Sequence, residues 1–186
     1  MADPITTFVE KAPTFMGLLM KDFGFSVEDA AAIMGNAGHE SGGLTLFQEI
    51  KPTSGRGGWG WFQWTGPRRD AFEAYCKRND LDPKSDKANY GWLWNELKGS
   101  ESRAVGATKA AVGLRGKVIA FEKAFERAGV KHYDSRLTWA ERALDAYQAA
   151  GNVPEPVEPQ VAFGDAAQDF MKAHGLDEVA IVCRRK

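Results

Sequence analysis

The fold is indicated most clearly by residues 26–43, which read Ser-Val-Glu-Asp-Ala-Ala-Ala-Ile-Met-Gly-Asn-Ala-Gly-His-Glu-Ser-Gly-Gly. Ser26 is a favourable N-terminal capping residue, and the two acids that follow at 28 and 29 suit the positive end of a helix. Apolar residues then recur at helical spacing, and Gly42-Gly43 ends the pattern. The segment therefore predicts a largely buried helix over 27–40.

Helical periodicity continues on both sides of this segment. We predict that the first helix begins near Pro13, a residue tolerated in a first turn, and ends at Phe23. Five more helices are predicted, over 67–78, 89–98, 102–113, 116–128 and 136–150. The predicted class is all-α, or α+β at most, with the Gly- and Trp-rich stretch 42–66 forming a loop or a small hairpin.

The chain divides into three parts by composition. Residues 1–151 carry the helical patterns and form the predicted domain, which is long enough to bury a core. Residues 152–160 are rich in Pro and predict an extended linker. Residues 161–186 form a short tail with one predicted helix and a possible strand, too small for an independent core.

Composition excludes several classes of protein. With 24 basic and 25 acidic residues, the net charge of −1 argues against nucleic-acid binding by counterion release. No apolar run approaches the roughly 20 residues needed to span a membrane, and the N-terminus lacks the pattern of a signal peptide. The histidines and two cysteines show no zinc-ligand spacing, so we expect neither a metal nor a cofactor. Cys76, late in a helix, does not have the placement of a catalytic thiol.

Glu40 is the first candidate for chemistry. It lies in the last turn of a mostly apolar helix, just before glycines open the backbone. Partial desolvation and the negative helix end both favour a protonated carboxyl group, which is what a general acid needs. The alternative is a surface glutamate at a frayed helix end.

Aromatic residues are concentrated at 58–66, which read Gly-Trp-Gly-Trp-Phe-Gln-Trp-Thr-Gly. Aromatic faces stack on sugar rings, and the Gln63 amide can donate and accept hydrogen bonds, so Trp61, Trp64 and Gln63 are candidate sugar contacts. Tyr90 is a further candidate. The alternative is that these aromatic residues belong to the core and that Gln63 points to water.

Glu49, nine residues after Glu40, is the candidate second carboxyl group. Glycoside hydrolysis commonly uses two, about 5–5.5 Å apart in retaining enzymes and about 6.5–9.5 Å apart in inverting ones. The alternative is that Glu49 pairs with Lys51 or Arg56 and supports the loop.

Together these motifs resemble those of a known superfamily. Glu-Ser-Gly at 40–42, followed about 20 residues later by Gly-Trp-Phe-Gln at 60–63, is similar to the Glu-Ser and Gly-Leu-Met-Gln pair of lysozyme-like enzymes. The longer string at 58–69 resembles the phage tail lysozyme family. Two later strings also resemble that family, namely Phe121-Glu-Lys-Ala-Phe-Glu and His132-Tyr-Asp. The resemblance covers roughly residues 10–150.

The resemblance implies a helical domain with a cleft that binds the glycan strands of bacterial peptidoglycan. It implies that Glu40 protonates the bond between N-acetylmuramic acid and N-acetylglucosamine, and that Ser41 and Gln63 lie at the substrate. The tryptophans would line the sugar subsites or brace the loop. Phage-type lysozymes also carry Thr six positions after the second acid, where this chain has Gly55, with Thr53 two residues early; this leaves the role of Glu49 open.

Three activities fit these residues. A lysozyme hydrolyses the bond with water, a lytic transglycosylase uses Glu40 alone and forms an anhydro ring, and a glycan-binding tail protein cuts nothing. The lack of a signal-peptide pattern and of a spanning apolar run predicts a protein made in the host cytoplasm without stable membrane insertion, and we expect a monomer. It would act in the periplasm or cell wall after release at lysis, or after delivery with a phage particle.

Overall fold

The computed structural model describes residues 3–52 and 55–151, and in these ranges it contains seven α-helices, one π-helical turn and no strand. The all-α prediction is confirmed. No helix in these ranges is long and apolar enough to cross a membrane. The elements are α1 (Pro4–Phe23), α2 (Val27–Glu40), α3 (Gly66–Arg78), α4 (Asp86–Lys98), α5 (Arg103–Ala110), α6 (Gly113–Phe121), the π turn (Glu122–Glu126) and α7 (Tyr133–Ala149). Thr53 and the predicted linker and tail lie outside the described residues.

The start of α1 differs from the prediction. The helix begins at Pro4 rather than near Pro13, because the Asp3 side chain accepts the Thr6 N–H at 2.8 Å and caps it. Pro4 then occupies the first turn, where its missing N–H costs nothing. Pro13 lies buried inside the helix. The sequence signal for this earlier start is an acid directly before a proline.

The predicted bounds of α2 are confirmed by its capping. The Ser26 side chain accepts the Asp29 N–H at 3.1 Å, and the Asp29 carboxylate accepts the Ser26 N–H at 2.8 Å. This reciprocal pair satisfies two backbone donors at the helix start. Asp29 also binds the Lys117 ammonium group of α6 at 2.6 Å. The α2 N-terminus is therefore attached to α6 by an ion pair.

Helix α2 packs against α1, α6 and α7 and is buried from Asp29 to Gly38. Two glycines allow α7 to approach closely. A Cβ atom on Gly35 would lie 2.5 Å from the Ala140 Cβ and 2.7 Å from the Arg136 carbonyl oxygen. A Cβ atom on Gly38 would lie 3.1 Å from the Trp139 ring. The small residues of α2 therefore let the backbone of α7 pack directly against α2, which ends at Glu40.

The Gly- and Trp-rich segment between α2 and α3 is an irregular loop rather than a strand pair. Its β-type pairing is limited to two isolated antiparallel bridges, Gln48 with Trp59 and Trp59 with Trp64. Gly60 has φ +78°, and a Cβ atom there would lie 2.6 Å from the Trp64 ring. A glycine is needed at this position for both the backbone conformation and the close packing.

We predict that Gly35→Ala destabilises the protein by about 1–3 kcal/mol, because the new methyl group meets backbone atoms of α7 that cannot move aside. Chemical denaturation measures this. The matched control is Gly106→Ala in α5, where a Cβ atom meets nothing within 4 Å. There the loss of glycine flexibility should add about 0.5–1 kcal/mol of stability. Equal stability of Gly35→Ala and wild type would contradict the close α2–α7 contact.

Candidate active site

Glu40 lies at the C-terminus of α2 with its side chain 19% exposed. The turn that follows is held by Ser41, which is fully buried. The Ser41 hydroxyl donates to the Ala37 carbonyl oxygen at 2.6 Å and accepts the Leu44 N–H at 2.9 Å. Ser41, predicted as a substrate contact, thus has its hydroxyl engaged inside the protein and fixes the chain direction directly after Glu40.

A buried arginine of α7 determines the position of the Glu40 carboxylate. Arg136 is 1% exposed and donates from Nη2 to Glu40 Oε1. Its Nη1 donates to Asn36 Oδ1 at 2.9 Å, and its Nε donates to the Lys131 carbonyl oxygen at 2.9 Å. Since Asn36 and Glu40 lie one turn apart on α2, the guanidinium group spans the last turn of that helix.

Arg136 was missed by the sequence analysis. The available signal was its helical spacing with Ala140 and Ala143, which places a cation on the buried face of α7. An arginine on such a face needs an acid nearby, since a buried charge is costly without a partner. Glu40 is that acid.

Glu126, at the end of the π turn, is a carboxyl group in an unusual environment and was not predicted from the sequence. The residue as a whole is partly exposed, but its Oε1 is buried and has no hydrogen-bond partner in the described part of the chain. Burial and then the charge of Glu40 raise the pKa of Glu126 well above its usual range, against the opposing charges of Arg68 and Arg136. Glu126 is therefore a partly exposed acid with one buried carboxyl oxygen that has no partner among the described residues.

Arg68 connects the loop side of the molecule to the π turn. Its guanidinium group binds Glu96 through two hydrogen bonds of 2.8 Å, and its Nη1 donates to the Phe125 carbonyl oxygen at 3.2 Å. Glu96 also accepts the Trp64 indole N–H at 2.7 Å. These contacts attach α3, α4 and the Trp-rich loop to the residue preceding Glu126.

The predicted aromatic contacts lie in the core, as the alternative interpretation held. Trp61, Trp64 and Tyr90 are each 3% exposed or less. Trp61 packs edge-on against Phe15 with ring centroids 4.7 Å apart, and the Tyr90 hydroxyl donates to Asp22 at 2.7 Å. Burial, and then Asp22, raise the pKa of Tyr90. These rings brace the loop and present no face to solvent.

Gln63 lies at the surface of the same loop with φ +45° and a half-buried side chain. Its amide NH₂ donates to the Gly60 carbonyl oxygen at 2.8 Å and to the Leu46 carbonyl oxygen at 3.2 Å. The Gln63 side chain therefore closes the turn around Gly60 and ties it to the segment that follows α2.

Glu49 is engaged in the loop backbone. Its Oε2 accepts the Gly58 N–H at 2.9 Å, and its own N–H donates to the Gly58 carbonyl oxygen at 3.1 Å. Arg56, considered as a partner of Glu49, binds Glu73 at 2.7 Å instead. Glu49 thus supports the loop. It does so by accepting the Gly58 N–H, whereas the sequence suggested an ion pair with Lys51 or Arg56.

His39 adds a neutral side chain next to Glu40. Burial, and then the charges of Arg136 and His132, lower the pKa of His39 to about 4. Its Nδ1 shares a hydrogen bond of 2.9 Å with the Ser135 hydroxyl. The charge around Glu40 near neutral pH is therefore set by Arg136 and not by this imidazole.

The family model for phage tail lysozymes matches residues 10–147. The chain belongs to the phage tail lysozyme family. No curated protein and no solved structure matches it. Membership indicates a lysozyme-like function directed at peptidoglycan. Within the described ranges, no group of three or more His, Cys, Asp or Glu residues is arranged to hold a metal ion.

For this lysozyme-family member we predict that Glu49→Gln retains wall-clearing activity close to that of wild type. The new amide keeps an oxygen that can accept the Gly58 N–H, so the loop stays closed without the charge. Glu49→Ala should lose about 1 kcal/mol of stability, because a buried donor loses its partner. Turbidity assays and thermal unfolding measure the two effects. A loss of about a hundredfold in Glu49→Gln with unchanged stability would instead make Glu49 a catalytic carboxylate.

Proposed function

We propose that the chain is a peptidoglycan glycosidase of the muramidase type, which cleaves the bond between N-acetylmuramic acid and N-acetylglucosamine. Glu40 is the general acid in this proposal. The observation that carries it is the geometry of Glu40: a carboxyl group that reaches solvent at the end of a buried helix and is held by the buried Arg136. Family membership independently supports a glycan of the cell wall as the substrate.

The proposed reaction begins with protonated Glu40 next to the glycosidic oxygen. Its proton passes to that oxygen as the bond from the sugar C1 breaks, and the electron pair of the bond stays on the oxygen. Water then adds to C1, and the proton that water releases returns to the carboxylate. Atoms and charge balance without a metal or cofactor.

Arg136 contributes most after Glu40 has lost its proton. The guanidinium group is fixed by Asn36 and Lys131 whether or not Glu40 is charged. It is therefore already in place to stabilise the carboxylate that forms as the bond breaks. Preorganised charge of this kind is among the larger contributions to enzymatic rate enhancement.

The loop proposed to face the substrate is the Gln63 turn. Gln63 is half-buried, and its amide NH₂ donates to two carbonyl oxygens. These hydrogen bonds fix the conformation of the turn that we propose faces the substrate. We retain Gln63 as a proposed substrate contact. We do not retain Ser41, Trp61, Trp64 and Tyr90, because the structure buries their side chains.

We predict that Glu40→Gln lowers the initial rate of wall clearing by about a hundredfold or more, because an amide cannot donate the catalytic proton. Turbidity of a cell-wall suspension measures the rate. Glu141→Gln, on an exposed position of α7, makes the same charge change and should keep full activity. Undiminished clearing by Glu40→Gln would overturn the glycosidase proposal and favour a glycan-binding role.

A lytic transglycosylase is the second candidate function. Its reaction needs only one catalytic acid. Glu49, the candidate second carboxyl group, is bound to the loop backbone, which favours a mechanism that uses Glu40 alone. The two reactions differ in their products, since the transglycosylase closes an anhydro ring on the muramic acid instead of adding water. We favour hydrolysis because the family to which the chain belongs is that of the phage tail lysozymes.

We therefore predict that digestion of purified peptidoglycan gives muropeptides with free reducing ends, detected by mass spectrometry before and after borohydride reduction. Borohydride adds two hydrogens to a reducing end and leaves an anhydro end unchanged. Products dominated by the anhydro form, one water lighter, would contradict hydrolysis and establish the transglycosylase reaction. Cleavage confined to the peptide stems would contradict both.

A further inference from the structure

Two side-chain contacts between α2 and α7 lie next to each other at the end of α2. His39 and Glu40 are consecutive residues of α2, and Ser135 and Arg136 are consecutive residues of α7. His39 Nδ1 shares a hydrogen bond of 2.9 Å with Ser135 Oγ, and Arg136 Nη2 donates to Glu40 Oε1. The His39 imidazole is therefore held in place directly beside the proposed acid.

A second imidazole lies against the first. The centroid of the His132 ring is 5.5 Å from that of His39, and the two ring planes are inclined by 38°. This distance is within the range of about 4.5–7 Å at which aromatic rings contact each other. His132 has φ +43°, and its carbonyl oxygen accepts the Arg136 N–H at 3.2 Å. The start of α7 thus fixes the backbone of His132, while its side chain stays exposed.

We call His39, His132 and Ser135 the histidine surface, and its imidazoles keep polar atoms available for a ligand. The His132 ring makes no hydrogen bond within the described part of the chain. His39 uses Nδ1 for Ser135, which leaves Nε2. Burial, and then the charges of Arg136 and His132, lower the pKa of His39 to about 4, so this imidazole is neutral near neutral pH. A neutral imidazole carries one donor and one acceptor, and either suits a hydroxyl group.

The chemistry of the histidine surface favours an uncharged polar ligand. The charge next to it is already balanced, because Arg136 and Glu40 are paired. No metal-binding group of three or more ligands occurs in the residues described. The contact between Ser135 and His39 does not have the properties of a nucleophile and its base, because an imidazole with a pKa of about 4 is a poor base at neutral pH.

We propose that the histidine surface is a sugar-binding subsite: the His132 ring packs against the face of a pyranose next to the bond that Glu40 protonates, and His39 Nε2 hydrogen-bonds a hydroxyl or N-acetyl group of that sugar. This inference rests on the proposed function of Glu40. A pyranose is uncharged, carries hydroxyl groups around its edge and presents C–H groups on its face. The histidine surface offers matching partners beside Glu40, whereas Trp61 and Trp64 are buried in the core.

The first experiment measures affinity in a protein that binds the glycan without cutting it. Full-length Glu40→Gln is titrated by calorimetry with peptidoglycan oligosaccharides whose stem peptides have been removed by an amidase. Adding His132→Asn should raise the Kd by about threefold to tenfold, the loss expected for one ring contact or hydrogen bond. Asparagine removes the ring and is among the residues that best tolerate a positive φ, so the start of α7 should keep its conformation.

The matched control is Val130→Ala in the same Glu40→Gln protein. It shortens a 68% exposed side chain two residues before His132 and should leave the Kd unchanged. A Kd that changes by less than twofold in His132→Asn would overturn the subsite. A weakening seen with free stem peptides but not with the glycan would also overturn it, because the ligand would then be a peptide.

The same samples separate this inference from the proposed function. Mass spectrometry after the titration shows whether Glu40→Gln has cut the oligosaccharide. Cut glycan overturns the role of Glu40 and with it the proposed function. Intact glycan that binds equally well to Glu40→Gln with and without His132→Asn overturns the subsite alone.

A second experiment leaves both imidazoles in place and does not depend on whether His132→Asn folds. Glu40→Gln is labelled with ¹⁵N, and the ring nitrogens of His39 and His132 are assigned through their connections to the backbone amides. Adding the peptide-free glycan should shift the ring signals of both residues, with one saturation curve that gives the calorimetric Kd. Ring signals that stay fixed at saturating glycan would overturn the proposal.

Discussion

The set of hydrogen bonds made by the Arg136 guanidinium group is the interaction on which the rest of the structure depends. It binds Glu40 and Asn36 on α2 and the Lys131 carbonyl oxygen ahead of α7. Removing one partner from a buried charge pair typically costs about 3–5 kcal/mol, because the remaining charge is left uncompensated. Arg136 therefore both positions Glu40 and contributes substantially to the stability of the fold.

Helix α2 serves the core and the site at once. Its buried glycines and alanines let α7 approach, and this approach brings Arg136 to the last turn. Asn36 extends the arrangement, since its side-chain NH₂ donates to the Val118 carbonyl oxygen of α6 at 3.3 Å. The π turn continues from α6 and carries Glu126. Packing around α2 thus brings Arg136 to Glu40, 96 residues earlier in the chain.

The sequence predicted the features that depend on local chemistry. The capping residues around Ser26 defined α2, and the motif at its end identified Glu40. The sequence could not predict which cation binds Glu40, because Arg136 reaches it through the packing of α7 against α2. The sequence also could not predict whether Trp61 and Trp64 contact sugars or lie in the core, because the same residue type serves both purposes.

The proposed chemistry requires that Glu40, held by Arg136, reach the glycosidic oxygen of a bound glycan. The most direct measurement is a crystal structure of Glu40→Gln with a peptidoglycan oligosaccharide that spans the site. We predict a bridging oxygen at about 3 Å from the side-chain amide at position 40, with Arg136 still bound to Asn36. A glycan bound in an ordered pose away from position 40, with no glycosidic oxygen in hydrogen-bond reach, would contradict it.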